Sequence, residues 1–263
     1  MVSATVIMLD FIGLRSVPAP LLSVIVVVRN GESTLRRLLD SVLERRDPDI
    51  ELVVVDGAST DKTVQILESF GSRIDAWISE PDRGLYDAFN KALSMASGEY
   101  YVVAGADDCF FEGALEALLR SGVLDDRPDY VVCDVLSGGV RKTGLRPSLG
   151  WIRYNLIVSS HSLGMVIRRS VHEQIGPYPL RYRVLADGVI IKALAYGPYR
   201  GTTSPIVMGE FSPEGASGTR YADVMWEHFL IQLRSERFKS LQVLIFILRL
   251  LKNIRRLIKY NDA

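Results

Sequence analysis

Asp107 and Asp108 stand side by side directly after the apolar run YYVVAGA, and Asp87 lies upstream in DRGLYDAFNKA. Adjacent carboxylates repel each other, so one takes up a proton or a cation neutralises both. Hard oxygen donors in this number suit Mg²⁺ or Mn²⁺, which are held by one or two carboxylates and completed by substrate phosphates. Asp56, after the run LVVV, adds an acceptor suited to a ribose hydroxyl or a ring N–H of a nucleoside. A single aspartate at a strand end is usually a helix cap or a turn residue. Four of them at matching places along one chain argue for a ligand.

The elements around these acids explain the matching places. LLSVIVVV at 21–28 is a β-branched run that fits a strand covered on both faces. STLRRLLDSVLERR at 33–46 carries Leu35, Leu38, Leu39, Val42 and Leu43 at spacings of three and four, which predicts an amphipathic helix. The alternation repeats: ELVVVD strand, TDKTVQILESF helix, IDAWIS strand, LYDAFNKALSMA helix, YYVVAGA strand. Such alternation predicts parallel strands joined by right-handed crossovers, an α/β doubly wound fold that binds ligands at the carboxyl ends of its strands. Asp56 and Asp107 end two of those strands. The second half is less regular: PDYVVCDV predicts a strand, SGGVRKTGLRPSLG a loop or hairpin, HSLGMVIRRSVHEQIG a strand leading to a helix, and VLADGVIIKALAYG a helix with Asp187 near its start.

Composition excludes several classes. The chain has 263 residues, 48% hydrophobic, with 31 basic and 31 acidic residues, so it can bury a sizeable core and has no global field to attract nucleic acid. Cys109 and Cys133 make no disulfide framework and suit a reducing cytosol. Residues 1–20 lack early basic residues and Asp10 interrupts their apolar run, so a short extension is expected there rather than a cleaved signal or a span. No G-x-G-x-x-G follows a strand, which counts against a nicotinamide dehydrogenase. VVVRNGESTLRRLL lacks a glycine-rich phosphate loop for a nucleotidyltransferase, and Ala58 stands where an aspartyl phosphatase needs its second acid.

The C-terminal segment differs in character. From Arg237 to Lys259 there are seven Lys or Arg and no acid, with Leu241, Leu244, Ile245, Leu248, Leu251, Ile254 and Ile258 on one stripe and Arg249, Lys252, Arg256 and Lys259 opposite. This is the pattern of a helix lying on an anionic membrane surface. Its unbroken apolar part, LQVLIFIL, is well short of the ~20 residues a span requires. A basic helix packed on its own domain, or on a second subunit in a homodimer, is the competing reading.

Four stretches, in order, carry a resemblance: LSVIVVVRNGESTLRRLLDSV, LVVVDGASTDKTVQIL, WISEPDRGLYDAFNKALSMASGEYYVVAGADD and LRYRVLADGVIIKAL. Together they resemble the family 2 glycosyltransferases of GT-A fold, of the kind that build bacterial surface polysaccharides, over roughly Leu21 to Phe211 and most specifically between 52 and 108. The resemblance implies a GT-A domain over 21–236, with a nucleotide-sugar half at 21–110 and an acceptor half at 111–236, followed by the amphipathic helix of 237–263. It implies an inverting enzyme that moves a sugar from a UDP-sugar or similar donor to a hydroxyl of a saccharide or lipid-linked acceptor. The setting would be the inner face of the cytoplasmic membrane, with Mg²⁺ or Mn²⁺ as cofactor.

Residue by residue, the resemblance assigns Asp56 to the nucleoside, and Asp107 and Asp108 to the metal and ribose-phosphate motif, with Asp108 the direct ligand. Asp82, Arg83, Gly84, Asp87, Asn90 and Lys91 fall on a segment lining the donor pocket, Arg83 facing phosphate. Asp187 falls on the base that deprotonates the acceptor, and His161 and Ser217 are further candidates near the diphosphate and in a closing loop. Trp151 and Tyr154 are candidates for stacking on a sugar face. Three positions depart from the family pattern: Gly105 replaces a further Asp, Gly57 a second acid after the second strand, and Gly188 an aromatic after the base. These departures keep a second reading open, a catalytically degenerate transferase serving as a scaffold in a membrane polysaccharide assembly complex.

Overall fold

The computed structural model describes residues 19–143, 161–212 and 220–261, with side chains to 254. Trp151, Tyr154, Ser217, nearly all of the 1–20 extension, and the side chains of Arg256, Ile258 and Lys259 therefore lie outside the described residues.

Strand and helix alternate as the periodicity predicts: β1 (Leu22–Val28), α1 (Leu35–Leu43), β2 (Ile50–Asp56), α2 (Thr63–Phe70), β3 (Ala76–Ser79), α3 (Leu85–Met95) and β4 (Tyr100–Gly105). Then come β5 (Cys109–Phe110), α4 (Ala114–Arg120), β6 (Tyr130–Ser137), β7 (Val140–Lys142), β8 (Met165–Arg168), α5 (His172–Ile175), α6 (Ala186–Tyr196), β9 (Gly201–Glu210), α7 (Tyr221–Ser235) and α8 (Lys239–Asn261). The strands form one mostly parallel sheet in the order β3-β2-β1-β4-β8-β6-β9-β5, with β7 paired to β6 as a hairpin. β3, β2, β1 and β4 are mutually parallel, as is the β6–β9 pair, whereas β8 runs antiparallel to both of its neighbours.

Burial on both faces explains the β-branched runs. Along β1 and β2, Val24, Val26, Leu52 and Val54 pack with Leu35, Leu38, Leu39 and Leu67 on one face, while Ile25, Val27, Val53 and Val55 pack with Phe89 and Ile190 on the other. Each such side chain contributes about 1.5–3 kcal/mol on leaving water. The register then fixes where the chemistry goes. Val28 is paired with Asp56 and Asp56 with Ser79, so these carboxyl ends share one rim. The loops after β1 and β2 are stitched along it: the Thr60 N–H donates to Asn30 Oδ1 (2.9 Å) and the Gly31 N–H to Thr63 Oγ1 (2.8 Å), with Asn30 and Ala58 both in the left-handed region.

Four elements escape the period-based reading: β5, α4, β9 and α7. β9 is hidden by Pro205, which cannot donate to a ladder. The register jumps from Cys133↔Ser204 to Asp134↔Val207, so Pro205 and Ile206 sit in an irregularity where no ladder bond is needed.

The opposite end of the sheet is held by Glu51. Its carboxylate accepts hydrogen bonds from Ser23 Oγ (2.5 Å), Ser97 Oγ (2.7 Å) and the Gly98 N–H (2.8 Å), tying β1 and β2 to the turn between α3 and β4. Burial pushes this carboxyl up, but the hydrogen bonds from Ser23, Ser97 and Gly98 outweigh it and hold the group below its ordinary 4.5. Because the folded value is depressed, the contribution is complete above the ordinary value and vanishes as pH falls through the folded one. Glu51→Ala should cost about 1–3 kcal/mol in urea unfolding at neutral pH, and the gap from wild type should close on acidification below the ordinary carboxylate range.

Candidate active site

The rim of the parallel strands gathers the acids into two groups. At the nucleoside end, Asp56 is fully buried. Its carboxylate accepts from the Ser59 N–H (3.0 Å), Ser59 Oγ and Ser79 Oγ (2.6 Å), filling three of the roughly four acceptor sites a carboxylate has. Asp56 thus shapes the loop 57–60. Gly57 has a local reason: a Cβ there would lie 2.2 Å from Asp82 Oδ2, so the acid absent from position 57 is replaced in space by Asp82 from the loop before α3.

Beside it runs a charged ladder. The Arg83 N–H and guanidinium both donate to Asp87 at 3.0 Å, and Lys91 Nζ reaches Glu80 at 2.8 Å and Asp87 at 3.8 Å. The two hydrogen bonds from Arg83 hold the Asp87 carboxyl below its usual range. Asp87 is buried while the Arg83 guanidinium is largely exposed, so Asp87 orients Arg83 toward solvent. Arg29, Arg83, Arg183 and Arg220 line a cavity of about 600 Å³ here, together with Asp82 and Tyr86. Asn90 lies elsewhere: its amide clamps the Tyr178 backbone, donating to the carbonyl and accepting from the N–H, both at 2.9 Å. It lines a separate cleft of about 800 Å³ whose walls include Arg168, Arg169 and His172 and none of the rim aspartates.

The second group is Asp107, Asp108, His161 and Asp187. Asp108 is almost wholly buried and accepts from the Gly105 N–H (2.8 Å). Burial pushes its carboxyl to about 7, with the charge of Asp107 adding to the rise against the Gly105 hydrogen bond. Burial is thus the main cause of the rise, and the repulsion expected of adjacent acids adds to it. Gly105 is tight as well: a Cβ would lie 2.9 Å from Asp107 Oδ1. Arg37 donates to the Asp107 carbonyl at 3.0 Å and secures the turn.

His161 Nδ1 lies 3.8 Å from Asp108 Oδ2, and its ring stacks on Phe211 with centroids 4.4 Å apart. Burial lowers its pKa against the pull of Asp187 and Asp107, which favours the neutral ring at pH 7, and the Leu163 N–H approaches Nδ1 at 3.4 Å. Asp187, in the first turn of α6, accepts from Tyr86 Oη (2.7 Å) and the Gly188 N–H (2.8 Å). Burial raises its pKa and those two bonds only partly offset the rise. A carboxylate raised toward neutrality is suited to accept a proton.

Among the described residues, no three His, Cys, Asp or Glu side chains form a metal cage. The donor set that exists is hard and lean: the Asp107–Asp108 pair, with the buried Asp108 carboxylate destabilised when charged. It fits Mg²⁺ or Mn²⁺ completed by water and phosphate oxygens, and does not fit a four-ligand structural zinc.

Sequence reasoning missed Tyr86, Ser59, Ser79, Phe211 and Arg37. Tyr86 adjoins Asp87 in the chain, but its partner is 101 positions away, and no spacing signals such a pair.

Comparison with known proteins places the fold and the family. The sequence pattern described as glycosyl transferase family 2 matches residues 23–191. A PGL/p-HBAD biosynthesis glycosyltransferase of Mycobacterium tuberculosis is 34% identical over 175 residues, spanning 64% of this chain and 67% of that protein. The crystal structure of S. aureus TarS superposes with a TM-score of 0.60 at 21% identity, over 84% of this chain and 68% of that one. The mannosyltransferase PcManGT from Pyrobaculum calidifontis, solved with GDP-Man and Mn²⁺, gives 0.61 at 24% identity, over 83% and 66%. The structural likenesses fix the GT-A fold, and the family match reaches from the first residues of β1 into α6, which carries Asp187: the chain belongs to glycosyl transferase family 2.

Proposed function

We propose that this glycosyltransferase moves a sugar, with inversion, from a nucleotide-sugar to a hydroxyl of a lipid-linked saccharide in bacterial polysaccharide or glycolipid assembly. The observation that carries the reading is the pairing of Asp108 and His161 on one side with the Tyr86-bound Asp187 on the other, at the carboxyl rim of the sheet. Support for the donor class comes from TarS, solved with UDP-GlcNAc, and from PcManGT, solved with GDP-Man. Support for the acceptor class comes from the mycobacterial relative, named for PGL/p-HBAD biosynthesis.

In this reading the loop shaped by Asp56, with Asp82, receives the nucleoside, and Arg83, aimed by Asp87, meets the diphosphate as a charge-assisted donor. Lys91 supports this ladder through Glu80 and Asp87. Asn90 supports the site indirectly through Tyr178, which stacks on Tyr86. Asp108, assisted by Asp107, would hold Mg²⁺ or Mn²⁺, which supplies charge neutralisation for a departing nucleoside diphosphate. Asp187 takes the proton of the attacking hydroxyl, its raised affinity for protons set by burial and its direction set by Tyr86. His161, 3.8 Å from Asp108, is placed to act at the diphosphate beside the metal. Retention of all these groups favours an enzyme over a scaffold.

The membrane enters through α8. No helix among the described residues is long and apolar enough to cross a bilayer. Yet α8 leaves Val243, Leu244, Ile247, Leu248, Leu251 and Ile254 exposed, next to Arg249 and Lys252. Membrane seating would bring a lipid-linked acceptor to the rim.

Two outcomes follow from this reading. Asp187→Asn should keep nucleotide-sugar affinity but lose transfer by ~10²–10⁴-fold; a collapse of donor binding with near-normal residual turnover would make Asp187 a binding residue instead. The protein should sediment with vesicles containing anionic lipid, and less so in high salt. Leu251→Asp, at a position 63% exposed, should release it without loss of thermal stability. Dimerisation lost in that variant, with no vesicle binding by wild type, would assign the stripe to a second subunit.

A further inference from the structure

α6 carries Asp187 in its first turn, where Asp187 itself accepts from the Gly188 N–H. Its capping residue is Leu185, whose side chain cannot accept a hydrogen bond. The N–H groups of Leu185 and of the two residues before it are instead bound by Glu227 on α7. Glu227 Oε1 accepts from the Arg183 N–H at 2.6 Å, and Oε2 from the Val184 N–H at 3.0 Å and the Leu185 N–H at 2.9 Å. The residue is 6% exposed, a burial tolerated because three backbone donors receive the charge of its carboxylate. Leu185 lies two residues before Asp187, so these bonds set the backbone from which Asp187 projects.

We infer that Glu227 is a positioning residue for Asp187. The first turn of α6 is fixed from two directions. Tyr86 Oη holds the Asp187 carboxylate from α3, and Glu227 holds the preceding backbone from α7. Further ties keep α7 in place against the same segment: Lys192 Nζ donates to Gln232 Oε1 (2.6 Å) and Glu236 Oε1 (2.5 Å), and Arg234 donates to Tyr182 Oη (3.1 Å). Glu227 touches none of the rim acids in these contacts and acts on the reaction through the placement of one carboxylate. The inference rests on the reading of Asp187 as base.

The test is a double-mutant cycle on the full-length protein, with turnover followed as nucleoside diphosphate released from a panel of UDP- and GDP-sugars. Rates are normalised to protein that binds donor, so that unfolded molecules do not count. Glu227→Gln keeps the shape but turns an amide N–H₂ toward backbone donors. It should lower kcat by up to ~10²-fold, the order of loss expected from a misplacement of about 1 Å, with donor KM changed only a few-fold. Glu227→Asp, which keeps the charge, should lose less and covers the case in which the Gln variant does not fold. In the Asp187→Asn background, Glu227→Gln should add no further loss. An equal loss in both backgrounds, or a kcat per donor-binding molecule equal to wild type, would overturn the positioning role. Normal turnover by Asp187→Asn itself would sink the base assignment separately, and an undiminished Glu227→Gln loss in that background would sink the positioning role with it.

Discussion

The ionisation of Asp108 against its own burial is the constraint around which this architecture is arranged. Strands that are apolar on both faces build a stable sheet, but they leave any acid at their carboxyl ends next to a low-dielectric core. Asp108 shows the consequence, its carboxyl driven to about 7 by burial and by Asp107. Asp187 is raised for the same first reason, and burial lowers the proton affinity of His161, 3.8 Å from Asp108, as well. A site assembled this way disfavours its own negative charge, which a cation bound together with a nucleoside diphosphate would neutralise.

The neighbouring acids show the opposite solution. Asp56 and Asp87 are also buried, yet both are furnished with local donors, Ser59 and Ser79 for one and Arg83 for the other. The rim therefore divides into carboxylates whose donors offset their burial and carboxylates, Asp108 and Asp187, whose donors offset it only in part. That division follows from which donors reach each carboxylate in space, Ser79 of β3 among them, so residue type alone does not reveal it.

The N-terminal half was legible in the sequence because its period is local. Leu35, Leu38 and Leu39 announce α1, and LVVVD announces β2 with its acid, since both patterns repeat within a few residues. The site was legible as a set of acids at the carboxyl rim, to which the family resemblance added expected roles for Asp108 and Asp187. What sequence could not supply is the long-range partner. Tyr86 reads as one apolar position of an amphipathic helix until Asp187 arrives from the far half of the chain, and Glu227 reads as a surface acid of a helix that period analysis did not find. Asn90 shows the converse, a residue in a donor-pocket motif whose amide is occupied by the Tyr178 backbone. Pro205 conceals β9 because a proline counts against a strand unless a bulge excuses its missing N–H.

The most direct test of the account is calorimetric titration of UDP- and GDP-sugars into wild type and Asp108→Asn, with and without Mn²⁺, above and below pH 7. Asp108 holds a proton below about 7, and a protonated carboxyl is a poor cation ligand. The account predicts that Mn²⁺ strengthens donor binding in wild type, that the gain shrinks as pH falls through 7, and that Asp108→Asn shows no gain at either pH. Donor binding indifferent to Mn²⁺ in wild type, or an Asp108→Asn variant with the full Mn²⁺ gain, would contradict it.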